Sequence, residues 1–109
     1  MGELGGEEVG VAVDYDLGTA TICLKGEFDI SNAELIRTSL DSPQAREINT
    51  VIVDAVDLRF MDSSGLSAIV AIANKYGGSV AVRNANSLVR RLVETSGLSP
   101  VLRLETSVE

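Results

Sequence analysis

Thr50-Val51-Ile52-Val53-Asp54-Ala55 is a short, nearly continuous apolar run dominated by β-branched residues. Such a run suits a central strand buried on both faces, because Val and Ile pack well on a pleated surface. Val56 to Met61 then reads as a connecting loop, and Asp62-Ser63-Ser64-Gly65-Leu66 as the start of a helix. That helix is expected from Ser63 to Tyr76, with Gly77-Gly78 as its stop. Leu66, Ala68, Ile69, Val70, Ala71, Ile72 and Ala73 make it apolar almost all round. Either it is buried in the domain or one of its faces serves a partner.

Downstream, Ser79 to Arg83 reads as a strand. Leu88, Val89, Leu92 and Val93 follow with helical spacing, leaving Arg90, Arg91 and Glu94 outward, and Gly97 ends that helix. Val101-Leu102-Arg103-Leu104 is a last strand. Upstream, Ser31-Asn32-Ala33-Glu34 has the form of a capping box ahead of Leu35, Ile36 and Leu40, with Pro43 limiting or bending the helix. Val9, Val11, Val13 and Tyr15 alternate with smaller or polar residues, and Thr19 to Lys25 is a second β-rich run. Leu17-Gly18 between them makes a hairpin. The order is β-β-α-β-α-β-α-β, an α/β fold with a mixed sheet. Its later strands are parallel, its opening hairpin is antiparallel, and helices pack on the sheet. Functional loops in such folds gather at the carboxyl ends of parallel strands.

The 109 residues make one domain, of which 45% are apolar and 23% charged. Residues 1–8, acidic and Gly-rich, read as a flexible lead-in to a domain over 9–109. The formal charge of −7 disfavours nucleic acid and anionic membrane surfaces. No apolar run reaches the roughly 18 residues of a membrane span. With no His in the chain, the usual general base and the Ser-His and Cys-His pairs are missing. There is no GxSxG elbow and no Lys beside a serine, so no base that activates Ser63 is visible and no enzyme is expected. Cys23 is the one cysteine. It fits a reducing, cytoplasmic setting and reads as a buried structural thiol within an apolar strand.

At the helix start, Asp62 or Ser63 can cap the first turn. Gly65 lets another backbone come close. Two hydroxyls beside free N–H groups also tolerate an anion. Asp29 stands at the next strand-to-helix junction, either as a helix-start carboxylate or as a contact for a partner. Asp54, Asp57 and Asp62 could suggest a magnesium site, but carboxylates at strand ends are common and no Lys occupies a matching late-strand position. No metal and no cofactor are expected.

Leu58-Arg59-Phe60-Met61-Asp62-Ser63-Ser64-Gly65-Leu66 resembles the signature of STAS domains of the bacterial anti-sigma factor antagonist family. Gly26-Glu27-Phe28-Asp29 resembles the end of that family's second strand, and Val51-Ile52-Val53-Asp54 the strand before the signature. Leu88-Val89-Arg90-Arg91-Leu92, with Ser96-Gly97-Leu98, resembles its late helix and terminator. The likeness runs from about Val9 to Leu104. It implies a small α/β sandwich that binds an anti-sigma factor with serine kinase activity and so frees a sigma factor. It implies phosphorylation on Ser63, which switches binding off, and a serine phosphatase that restores it. Asp29, Ser31, Asp62, Ser63, Ser64, Gly65 and Leu66 are the expected partner-binding residues, in a protein that is a monomer or a weak dimer. The family usually carries a further helix after the last strand. Only residues 105–109 follow here, so that helix is expected to be missing, short or trimmed. A second reading is a non-switching STAS accessory subunit of a transport complex. A phosphorylatable Ser63 favours the first reading, since a scaffold needs no such hydroxyl.

Overall fold

The computed structural model describes residues 8–105. The expected lead-in, apart from Glu8, and residues 106–109 lie outside the described residues. The elements follow the expected order: β1 (Gly10–Asp16), β2 (Thr19–Phe28), α1 (Glu34–Arg37), β3 (Thr50–Met61), α2 (Ser63–Lys75), β4 (Val80–Arg83), α3 (Ser87–Thr95) and β5 (Leu102–Leu104). The sheet runs β1-β2-β3-β4-β5, so β3 is internal. Only the β1–β2 pair is antiparallel. Its two-residue turn places Leu17 at φ 50° and Gly18 at φ 83°, the mirror-image turn that matches strand twist.

From β2 to β5 every step moves the same way across the sheet. Right-handed crossovers then put α1, α2 and α3 on a single face. The core agrees with this. Ala20, Ile22, Leu24 and Phe28 of β2 and Val51, Val53 and Ala55 of β3 bury there with Ile36, Ile69, Ile72, Val89 and Val93 of the helices. The opposite face carries no helix among the described residues.

Three sequence expectations change. First, β3 does not end at Ala55. It continues to Met61 through two irregularities against β2, so that Asp54 to Met61 spans the same ladder as Cys23 to Phe28. The extra residues bend the strand and interrupt its alternation, leaving Leu58 and Met61 buried and Val56 and Phe60 exposed. Nor is β3 buried on both faces: Ile52 and Asp54 are only half-buried on the helix-free side.

Second, Cys23 is exposed, not buried. Its neighbours Ile22 and Leu24 take the core positions, and a period of two leaves Cys23 on the open face. Third, the Ser31 capping box does not form. Helix α1 has four residues and no side-chain cap, and Leu35 is exposed while Ile36 and Leu40 are buried. Pro43 neither ends nor bends α1, which has already stopped; it opens a 3-10 turn, Pro43–Glu47.

Candidate functional site

The carboxyl ends of β2 and β3 lie side by side, with Phe28 opposite Met61. The Asp62 N–H donates to the Phe28 carbonyl at 3.1 Å, which fastens the start of α2 to the end of β2. This bond brings the Asp29 turn next to Ser63. Asp62, not Ser63, is the cap: one of its carboxylate oxygens accepts from the Ser64 N–H at 2.8 Å and the Gly65 N–H at 3.4 Å. With the cap supplied by its neighbour, Ser63 is exposed, and no hydrogen bond among the described residues engages its hydroxyl.

Beneath the serine the packing is tight. A Cβ on Gly65 would sit 3.0 Å from Met61 Cβ and 3.3 Å from its sulfur. A side chain there would push Met61 aside by a few tenths of an ångström, so glycine lets the first turn of α2 rest closely on the strand ends. Leu66 is buried, which removes its side chain from any outer surface; Gly65 is buried as well, and Ser64 half-buried. These three residues hold Ser63 in place from below rather than standing beside it.

Across the seam, Asp29 organises its own turn. A single carboxylate oxygen accepts from the Ser31 N–H at 2.9 Å and from the Ser31 hydroxyl at 2.6 Å. Asn32 closes the turn from the other side: its side-chain oxygen accepts from the Asp29 N–H at 2.9 Å and its amide donates to the Glu27 carbonyl at 3.0 Å. The Ser31 hydroxyl first, then the Ser31 N–H, hold the Asp29 carboxyl below its ordinary value of 3.8. Asp29 and Ser31 are both exposed. Thus Asp29, Ser31, Asp62 and Ser63 come together at one end of the sheet.

The other two carboxylates considered for a metal have separate surroundings. Asp54 accepts from the Val56 N–H and from the Asn84 amide, both at 3.1 Å, so it ties β3 to the segment leading into α3. Asp57 pairs in register with Lys25, at the irregular stretch of the ladder. Two residues near the site escaped the sequence reading. Ile30 is 85% exposed in the Asp29 turn, and Phe60, opposite Glu27, is 44% exposed. Phe60 falls inside what reads as a loop, and its place on a strand follows only from the irregularities in β3. Asn86 escaped too. It caps α3 through the Val89 N–H and donates to the Leu58 and Arg59 carbonyls, locking α3 to the end of β3. An Asn directly before an amphipathic run is the signal that could have found it.

The chain belongs to the STAS domain family, whose model matches residues 12–109. It is 31% identical over 96 residues to an anti-sigma F factor antagonist of Paenibacillus polymyxa, covering 84% of this chain and 82% of that protein. It is 26% identical over 104 residues to an anti-sigma-B factor antagonist of Bacillus subtilis, covering 93% of this chain and 94% of that one. Among solved structures, an anti-sigma factor antagonist from Mycobacterium paratuberculosis superposes with a TM-score of 0.78 at 20% identity, over 93% of this chain and 88% of that one. The phosphorylated form of the Bacillus cell fate determinant SpoIIAA superposes with a TM-score of 0.67 at 25% identity, over 90% of this chain and 93% of that one. No helix among the described residues is long and apolar enough to cross a membrane.

Proposed function

We propose that this protein is an anti-sigma factor antagonist gated by phosphorylation of Ser63. In the unphosphorylated state it binds an anti-sigma factor that is also a serine kinase, and a sigma factor is released. Phosphate on Ser63 ends that binding, and a serine phosphatase restores it. The exchange takes place in the cytoplasm, and the antagonist acts by binding rather than by catalysis. The observation that carries the reading is the exposed Ser63 hydroxyl at the start of α2, with Asp62 serving as the cap in its stead. The names of the relatives support the role, and the phosphorylated SpoIIAA supports the modification.

The docking surface is the group of exposed Asp29, Ser31 and Ser63 with half-buried Asp62, and Ser64, Gly65 and Leu66 position it. A neutral hydroxyl at Ser63 fits a flat protein contact. Phosphorylation adds about −1.5 to −2 charges there. The positive end of the α2 dipole offsets part of that charge, so the fold survives. The N–H groups of Ser64 and Gly65 are already engaged by Asp62, however, and the Asp62 and Asp29 carboxylates add repulsion. The phosphate stays hydrated, and docking has to strip or wedge it. A penalty of about 4 kcal/mol weakens a complex roughly a thousandfold.

Incubation with the kinase partner and ATP, followed by mass spectrometry, tests the assignment. Phosphate is expected on Ser63, and it should still be incorporated in Ser64→Ala but not in Ser63→Ala. Phosphate on Ser64 or elsewhere, with Ser63 unmodified, overturns it.

A further inference from the structure

The face of the sheet opposite the helices is built differently from an ordinary solvent face. Parallel sheets almost always have both faces covered. Here four of the five strands are parallel, yet α1, α2 and α3 share one side. Ala81 is 5% exposed but lies outside the helix-side core, on this other face.

The register aligns one row straight across it: Asp14, Thr21, Ile52, Ala81 and Arg103, on β1 to β5 in turn. The row has a carboxylate at one end, a guanidinium at the other and an uncharged middle. Asp14 and Arg103 are exposed, Thr21 and Ile52 half-buried. Arg103 Nε donates to the Ser79 hydroxyl at 3.3 Å.

We propose that this face receives a second copy of the chain, in a two-fold dimer whose axis runs parallel to the strands. The symmetry follows from the charges. An axis along the strands reverses strand order between the copies. Asp14 of each copy then stands opposite Arg103 of the other, Thr21 opposite Ala81, and Ile52 opposite Ile52 at the centre. An axis across the strands stacks β1 on β1, setting carboxylate on carboxylate and guanidinium on guanidinium, and is rejected on charge. The adjoining row holds Ala12, Cys23, Asp54 and Arg83. In it Cys23 faces Arg83, whose guanidinium also meets Glu105 at 3.5 Å. The two Asp54 carboxylates face each other near the axis. That is a cost, moderated by the hydrogen bonds each accepts from Asn84 and Val56, and it keeps the dimer weak and reversible.

Sedimentation equilibrium between about 10 µM and about 1 mM at low salt reads the association directly. The wild type is expected to pass from monomer to dimer in that range. Asp14→Arg and Arg103→Asp, each self-repelling at both ends of the row, are each expected to weaken self-association at least tenfold. Mixed together, these two variants are expected to associate with one another, because the hetero-pair again sets a guanidinium opposite a carboxylate at each end of the row. Both positions are exposed, so neither substitution disturbs the core. With strands about 4.8 Å and sheets about 10 Å apart, the two Cys23 Cα atoms lie roughly 14 Å from each other, beyond disulfide reach. A monomer throughout the range, a dimer indifferent to the charge reversals, a mixture that stays monomeric, or a Cys23–Cys23 disulfide formed readily on oxidation each overturns the proposal.

Discussion

Asp29 is fixed by its neighbours before any partner arrives. Ser31 donates to it twice and Asn32 anchors its backbone, so little rotamer freedom is left to lose on docking. Because it is exposed and its turn is held by several bonds, Asp29→Ala is expected to keep the fold and weaken the partner roughly ten- to hundredfold. Calorimetry showing equal affinity removes Asp29 from the surface. Its pH behaviour has a definite sign. The carboxyl titrates below its ordinary 3.8, so the ionised turn persists above that value and its contribution is lost only as pH falls through the lower, folded value. Carbon-detected NMR titration of the Asp29 carboxyl should give a midpoint under 3.8; one above it contradicts the turn. Cys23 is a second exposed group with a legible chemistry. Partial burial first, then the Asp54, Asp14 and Asp57 charges, push its thiol up, so thiolate is scarce at neutral pH. In dilute solution a thiol reagent is expected to label it fully without unfolding, but more slowly than a free small thiol. Complete protection in the folded monomer contradicts its placement.

At the scale of elements, α2 joins fold and function. Asp62 satisfies two N–H groups of its first turn, and Asp62→Ala is expected to cost about 0.5–2 kcal/mol in urea denaturation, while Asp62→Asn retains most of it. Gly65→Ala drives a Cβ against Met61 and is expected to cost about 1–3 kcal/mol by the same measurement. A neutral Asp62→Ala or a neutral Gly65→Ala breaks the link between α2 and the strand ends. Element order and helix α2 were legible because their signals are local: β-branched runs, a capping residue, glycines beyond the last turn. The end of β3 was not. The extra residues against β2 put Leu58 and Met61 three apart, a spacing that breaks strand alternation and could equally belong to a helix face. The Ser31 cap failed for a similar reason, since Asp29 two residues earlier competes for the same hydroxyl and wins it. In the site, Asp29, Ser31, Asp62 and Ser63 could be found from their position before or at a helix start. That Gly65 and Leu66 face inward depends on how α2 is seated on β3, which no local pattern reports.

For the whole molecule, one-sided helix packing separates two surfaces. One is the end of the sheet, where Ser63 and Asp29 meet. The other is the open face, where a row across all five strands carries a carboxylate on β1 and a guanidinium on β5. The formal charge of −7 has no bearing on the fold but favours partners with basic contact surfaces. It also makes any added phosphate a larger electrostatic burden. The switch we propose is local: charge and hydration at one exposed hydroxyl would change whether a preformed surface can dock, with no refolding required. The most direct test compares partner affinity of the unmodified protein with that of protein stoichiometrically phosphorylated on Ser63, by titration calorimetry, with circular dichroism on both. The expected result is unchanged secondary structure and affinity lowered by about a thousandfold, with Ser63→Glu also binding poorly and Ser63→Ala binding like the unmodified protein. Equal affinity of the two forms, or loss of binding only through loss of the fold, contradicts the account.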